Sequence, residues 1–167
     1  MNKKLKKYVL TAMLSALTMI ATGMLPKIPV PATGGYVHLG DTVIIVSSML
    51  FGPWVGALSA AIGSALADLI AGYAQYIIPT FIIKGLMGFV VGKLSFGNHS
   101  KLGVKQLCGL LFGGIIMVGG YYVFEVVMTS SAIVPLEAVP FNVMQYAVGT
   151  VLGLILYFAL KDRINKM

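Results

Sequence analysis

The sequence predicts an all-α membrane protein: a single domain (residues 1–167) forming a compact bundle of six transmembrane helices, with both termini cytoplasmic. Composition is the first reason, since the chain is 58% hydrophobic and 10% charged, with a mean hydropathy of +0.93. A soluble domain carries about 25% charged residues. The few polar groups present here cannot cover a water-facing surface, so lipid has to be the solvent for the outside of the molecule.

The spacing of the apolar segments is the second reason, because a bilayer-spanning helix needs about 20 mostly apolar residues. The segments predict helices at about residues 6–25, 38–51, 54–72, 77–94, 105–128 and 139–160. The first segment follows a lysine-rich stretch, as in a signal peptide. Its apolar run of about 18 residues is long for that role, so we assign it as a transmembrane helix. The second segment is short for a full span.

The connections between the segments contain residues that interrupt regular structure. Residues 26–36 hold three prolines and two glycines and predict a loop. Gly52 and Pro53 predict a tight turn, and Pro135 and Pro140 bracket the last loop.

The distribution of basic residues is the third reason and gives the orientation, because Lys and Arg concentrate at cytoplasmic helix ends. With the N-terminus inside, ten of the twelve fall on the inner side: Lys3, Lys4, Lys6, Lys7, Lys93, Lys101, Lys105, Lys161, Arg163 and Lys166. Lys27 alone lies outside, and Lys84 lies within a helix. This asymmetry requires an even number of helices and places the proline-rich first loop on the outer side.

Polar groups at membrane depth are costly and usually mark function. Here they and the neighbouring tyrosines concentrate in the outer half. The candidate binding residues are Tyr36, His38, Asp41, Asp68, Tyr73, Lys84, Tyr121, Tyr122, Glu125, Asn142 and Gln145, with Tyr76 and Tyr146 as further aromatic groups. The inner half holds Ser47, Ser48, Gln106 and little else. The pattern indicates a cup that opens to the outside, whereas a channel needs polar residues through the full thickness.

Several of these residues also have purely structural interpretations. Lys84 can pair with Asp68 across the hairpin of the third and fourth helices, or with Glu125, and the sequence does not decide between them. His38 can form a loop hydrogen bond near Asp41. Asn142 and Gln145 can bond neighbouring helices, and the tyrosines can belong to the core or to an interfacial belt.

Other classes of function lack their sequence signals. The basic residues form no patch interleaved with aromatic residues, so a nucleic-acid partner is not expected. Cys108 is the only cysteine, which excludes a disulfide framework or a cysteine zinc site. His38 and His99 fall on opposite sides of the membrane, and no catalytic motif is present, so we expect no metal, no cofactor and no enzyme. Gly88–Lys93 has phosphate-loop character, but its spacing is one residue short.

Four blocks carry a resemblance to a known family: Gly35–Asp41, Leu50–Ala57, Gly63–Tyr73 and Ile82–Gly88. They resemble the riboflavin-type S components of energy-coupling factor (ECF) transporters, most closely members assigned to hydroxymethylpyrimidine or pyridoxine. The resemblance implies a multi-pass protein of the bacterial plasma membrane that captures a small heterocyclic vitamin. Riboflavin and pantothenate remain alternatives, as does a stand-alone small transporter or channel.

The resemblance also implies partners and moving parts. The partners are a transmembrane coupling subunit and two cytoplasmic ATPases, and the family docks the coupling subunit through an alanine motif on helix 1. Ala12 and Ala16 stand at that spacing, with Ser15 beside them. The first loop, Pro26–Gly40, is expected to act as a lid, because its prolines limit the entropy lost on closing and Gly34 and Gly35 let it bend.

Overall fold

The computed structural model describes residues 2–25, 28–31, 33–97 and 101–164, in which the chain forms six α-helices and one two-stranded hairpin. The helices are α1 (Lys3–Gly23), α2 (Gly40–Phe51), α3 (Pro53–Ala71), α4 (Ile77–Ser95), α5 (Val104–Thr129) and α6 (Ala138–Ile164). The strands are β1 (Ile28–Val30) and β2 (Gly35–Val37). Short 3₁₀ turns, Ala74–Tyr76 and Val134–Glu137, lead into α4 and α6. The six predicted helices are therefore confirmed, with ends that shift by a few residues.

Four of these helices, α3, α4, α5 and α6, are long and apolar enough to cross a membrane. Helix α1 has 21 residues, and its first turns carry the N-terminal lysines. Helix α2 has 12 residues, which at 1.5 Å per residue span only about 18 Å of a hydrocarbon layer about 30 Å thick. It lies in the centre of the bundle, where it packs against α1, α3, α4 and α6.

Glycines allow the helix backbones to approach closely around α2. A Cβ atom added at Gly56 would lie 2.2 Å from Ser48 Oγ, and one added at Gly88 would lie 2.7 Å from the carbonyl oxygen of Gly56. Helix α1 approaches α3 in the same way, because a Cβ at Gly63 would lie 2.4 Å from the carbonyl oxygen of Ser15. Small residues drive association in lipid through such close packing.

The first loop differs from its prediction, because it folds into a β-hairpin. Strands β1 and β2 pair antiparallel, with Pro29 opposite Tyr36 and Val30 opposite Gly35. Gly34 turns the chain at a φ of +68°, and its N–H donates to the carbonyl oxygen of Val30 at 3.0 Å. Prolines are tolerated in edge strands, so their number did not argue against a short ladder.

Some predicted positions lie outside the described residues. They are Pro26, Lys27 and Ala32 of the expected lid, His99 in the loop between α4 and α5, and Lys166 near the C-terminus.

Candidate binding site

A cavity lies beneath the hairpin, between it and the outer parts of α3, α4, α5 and α6. Its volume is about 30 Å³, room for one or two water molecules. The lining residues are Val30, Thr33, Gly35, Tyr36, His38, Asp68, Tyr76, Thr80, Tyr121, Glu125, Ala138, Asn142 and Gln145. Hairpin residues thus form the roof of a small cavity whose walls are aromatic and polar.

A buried ion pair joins Lys84 to Asp41, and both side chains are fully buried. The sequence offered Asp68 or Glu125 as the partner of Lys84, and both suggestions are wrong. The reason is the central position of α2, whose N-terminal turn brings Asp41 between α4 and α6. Gln145 Nε2 donates to the second oxygen of Asp41 at 2.9 Å. Neither Asp41 nor Lys84 belongs to the cavity lining, and their contact with a ligand stays a prediction.

Gln145 also holds the end of the hairpin. The backbone N–H of His38 donates to Gln145 Oε1 at 2.9 Å. The N–H of Gly40 donates to Nδ1 of His38 at 3.0 Å, so this ring nitrogen acts as an acceptor. The loop hydrogen bond considered for His38 is therefore made with Gly40. One amide side chain of α6 thereby connects the roof of the cavity to the ion pair below it.

Tyr36 fastens the roof to α3. Its hydroxyl donates to Asp68 Oδ1 at 2.8 Å. Burial, together with the adjacent Asp68 carboxylate, raises the pKa of Tyr36 far above its usual range, so the hydroxyl stays protonated and remains a donor. Tyr73 packs against Tyr36 with ring centroids 4.6 Å apart. Tyr73 therefore supports a wall residue and does not itself line the cavity.

Glu125 forms part of the opposite wall with Tyr76. The hydroxyl of Tyr76 lies 3.1 Å from Glu125 Oε1 and 2.9 Å from the carbonyl oxygen of Thr33 in the hairpin. Glu125 Oε2 is buried and has no hydrogen-bond partner among the described residues. This oxygen is an acceptor that the protein itself leaves available.

Other wall residues follow from helical spacing. Thr80 lies one turn before Lys84 on α4, and its hydroxyl is 3.0 Å from that of Tyr121. Sequence analysis missed Thr80, although its spacing of four residues from Lys84 could have identified it. Thr33 and Val30 were missed because they reach the cavity only through the hairpin. Asn142 lines the cavity and makes no side-chain hydrogen bond within the described part of the chain.

Two predicted tyrosines lie elsewhere. The hydroxyl of Tyr122 donates to the carbonyl oxygen of Ala132, which fastens the connection between α5 and α6. The hydroxyl of Tyr146 donates to the carbonyl oxygen of Leu110 on α5. Within the described residues no cluster of three or more His, Cys, Asp or Glu side chains could hold a metal ion.

The small-residue face of α1 borders a groove against α3. Ala12 and Ala16 are exposed and line this groove together with Leu58 and Ile62 of α3. Ser15 is only 5% exposed, and its hydroxyl donates to the carbonyl oxygen of Thr11 at 2.9 Å. All three residues nevertheless line the same groove, with Ser15 on its buried side next to α3, and docking of a partner at this face stays a prediction.

Comparison with known proteins connects this architecture to membrane transport. A family model described as the ECF-type riboflavin transporter, S component, matches residues 2–162. The thiamine precursor transporter HmpT of Lactococcus lactis subsp. cremoris is 32% identical over 158 residues, 93% of this chain and 87% of that protein. An uncharacterised protein of Pyrococcus woesei is 39% identical over 146 residues, 86% of this chain and 95% of that protein.

A solved structure of the S component of a bacterial ECF transporter has the same fold. It superposes with a TM-score of 0.70 over 97% of this chain and 99% of that one. Sequence identity in this pair is 17%, so the likeness concerns the arrangement of the helices.

Proposed function

Because the chain belongs to the S-component family of ECF-type riboflavin transporters, we propose that it captures a small vitamin precursor at the outer face of a bacterial plasma membrane. The family consists of transporter subunits and not of enzymes, which confirms the non-enzymatic prediction. The ligand that we propose is hydroxymethylpyrimidine, with pyridoxine next and riboflavin or pantothenate as the remaining alternatives. The observation that carries the proposal is the polar and aromatic cavity under the hairpin.

The position of the cavity favours capture over free passage. Below the Asp41–Lys84 pair many of the large, fully buried side chains are apolar, among them Met49, Met87 and Val91, and the buried polar groups are mainly serine hydroxyls. The hydroxyls of Ser47 and Ser59 donate to carbonyl oxygens of their own helices. A channel would need polar groups along its whole length, so this packing favours capture.

The choice of ligand rests on the walls and on a relative. Aromatic side chains with a few polar groups suit a small planar ring, and Tyr36, Tyr76 and Tyr121 provide such walls. The printed name of HmpT describes transport of a thiamine precursor. Hydroxymethylpyrimidine is a precursor of this kind, with a flat ring and several hydrogen-bonding groups.

Loading such a ligand requires the hairpin to move. Ligand pockets commonly enclose about 300–1,000 Å³, whereas this cavity encloses about 30 Å³. Among the described residues, the hydrogen bonds that connect the roof to the helices include Tyr36 with Asp68, His38 with Gln145, and Tyr76 with Thr33. Each is a hydrogen bond worth about 1 kcal/mol, so the hairpin can act as a lid that opens at moderate cost.

We propose that release of the captured ligand into the cytoplasm depends on partner proteins. These are a transmembrane coupling subunit and two cytoplasmic ATPases. The exposed Ala12 and Ala16 offer a shallow groove against α3 where a helix of the coupling subunit could approach closely, as small residues permit in lipid.

Purified protein provides the direct test. Mass spectrometry of small molecules released on denaturation, followed by calorimetric titration with hydroxymethylpyrimidine, pyridoxine, riboflavin and pantothenate, should identify one of them as a tight ligand. Uptake into proteoliposomes should require the ATPases and ATP. Absence of binding to every vitamin, or uptake by the isolated chain, would contradict the proposal.

A further inference from the structure

We infer that the cavity selects ligands that present hydrogen-bond donors, and that Glu125 is the residue that recognises them. The inference rests on the proposed function and narrows its substrate class to amino-substituted heterocycles. Vitamins that would present a carboxylate or only hydrogen-bond acceptors to Glu125 are disfavoured.

The first observation is the state of the Glu125 carboxyl. The residue is 3% exposed and lines the cavity, yet Oε2 has no hydrogen-bond partner among the described residues. A buried carboxylate is stable only when its oxygens accept hydrogen bonds or meet a cation. Glu125 belongs to the cavity wall, so a ligand held there would lie beside a carboxyl group that has one oxygen without a protein partner.

The second observation concerns the other oxygen of the same group. Tyr76 has one hydroxyl proton, but two acceptors lie within reach: Glu125 Oε1 at 3.1 Å and the carbonyl oxygen of Thr33 at 2.9 Å. A single O–H cannot serve both acceptors fully. Glu125 therefore receives less than one full hydrogen bond from Tyr76, and Oε2 remains the oxygen that can accept from a ligand.

The third observation concerns the available cations. Among the described residues Lys84 is the only Lys or Arg that is buried, and Asp41 binds it. No buried cation of the described core is left to attract an anionic ligand toward Glu125. A carboxylate brought close to Glu125 would meet a like charge in a site with little water, where repulsion is strong.

These features fit a specific pattern of ligand atoms. A ring that carries an exocyclic amino group beside a protonated ring nitrogen offers two parallel N–H donors. A carboxylate can accept both in a bidentate pair, the strong arrangement of charge-assisted hydrogen bonds. Asn142, whose amide makes no hydrogen bond to the described residues, lines the same cavity and can serve a further polar group of the ligand.

The test compares two ligands that differ only at the amino group. The probes are hydroxymethylpyrimidine and its isostere in which oxygen replaces the amino group, each titrated against purified full-length protein. We expect the amino compound to bind the wild type about 100-fold more tightly, since leaving a buried polar group unpaired costs about 1–3 kcal/mol. Equal affinities for the two probes, or tighter binding of pantothenate than of either, would overturn the inference.

Variants assign the discrimination to one residue. In Glu125→Gln the amide can turn either its N–H₂ or its oxygen toward the ligand, so the preference should fall to about threefold or less. The matched control is Glu137→Gln, since Glu137 is exposed on the turn before α6 and lies outside the cavity lining. It should keep the full preference. A Glu125→Gln protein that is folded by thermal melting and still discriminates 100-fold would contradict the role of Glu125.

The outcomes separate the two proposals. Tight binding of riboflavin or pantothenate would leave a vitamin-capturing subunit standing and would overturn only the donor-selective cavity. Failure to bind any vitamin would contradict both. The ligand-pair comparison on the wild type does not depend on any variant, so it tests the preference for donor-bearing ligands even if Glu125→Gln fails to fold.

Discussion

The outer and inner halves of this bundle are held together by different interactions. In the outer half, polar side chains connect distant elements: Tyr36 to Asp68, and Gln145 to both the hairpin and α2. In the inner half fewer such bonds are present, among them Tyr157 with the carbonyl oxygen of Gly97, and backbones meet closely at glycines, as where a Cβ at Gly92 would lie 2.6 Å from Cα of Pro53. Hydrogen bonds can break singly, whereas close backbone contacts hold only in one arrangement. We therefore expect motion during loading mainly in the outer half.

The largest effect is expected where the two halves meet. Asp41→Ala leaves the fully buried Lys84 without its partner, and removing one member of a buried pair costs about 3–5 kcal/mol. The thermal midpoint of the purified protein should drop sharply. The double variant Asp41→Leu/Lys84→Met removes both charges and should recover much of the loss. A stable Asp41→Ala protein would show that the pair does not join the two halves.

The next effect tests the inner half alone. Gly88→Ala places a methyl group against the backbone of α3, 2.7 Å from the carbonyl oxygen of Gly56. Overpacking of this kind costs about 1–3 kcal/mol. Gly119→Ala on α5 is the matched control, because nothing lies within 4 Å of its added Cβ. Equal melting temperatures for the two variants would show that the close backbone contact at Gly88 does not hold the inner half in one arrangement.

A smaller effect is expected for the lid. Tyr36→Phe removes the hydrogen bond to Asp68 and should weaken the closed hairpin by about 1 kcal/mol, which corresponds to about fivefold more open molecules. Limited proteolysis within the hairpin should accelerate by that factor, while the melting temperature of the bundle changes little. Tyr122→Phe, which loses a bond outside the hairpin, should leave the cutting rate unchanged. Unchanged cutting in Tyr36→Phe would argue against a separately mobile roof.

The smallest effect on stability is expected at the exposed face of α1. Ala12→Trp or Ala16→Trp should change the free energy of unfolding by no more than about 0.5 kcal/mol and preserve ligand binding, yet abolish copurification with the ATPase complex. Ser15→Trp provides the contrast, because Ser15 is buried toward α3, and its loss should appear first as unfolding. An intact complex with Ala16→Trp would contradict docking at this face.

The sequence predicted those features that depend on one segment at a time. Apolar length gave the six helices, and the asymmetry of Lys and Arg gave an even number of spans. The hairpin was missed because proline content alone does not report pairing between strands. The partner of Lys84 was missed because Asp41 lies 43 positions away along the chain. Only the packing of α2 between α4 and α6 brings the two together.

The candidate binding residues were predicted with mixed success, because the packing of one segment against another cannot be read from a single segment. Asp68, Glu125 and Asn142 were placed at a common depth from helix length, and they do line one cavity. Tyr122 follows Tyr121 directly and has the same depth. It nevertheless points to a different neighbour, because adjacent residues on a helix face in directions about 100° apart. The depth of a residue in the membrane can be read from the sequence, while the direction of its side chain depends on which face each helix turns inward.

Gln145 has a kinetic consequence. Its amide nitrogen donates to Asp41 and its oxygen receives the N–H of His38, so we expect the side chain to keep its rotamer if the hairpin lifts, with its oxygen still aimed at the vacated position. A returning hairpin would then meet an acceptor that is already oriented. We therefore expect reclosing to be limited by movement of the hairpin and not by reordering of Gln145.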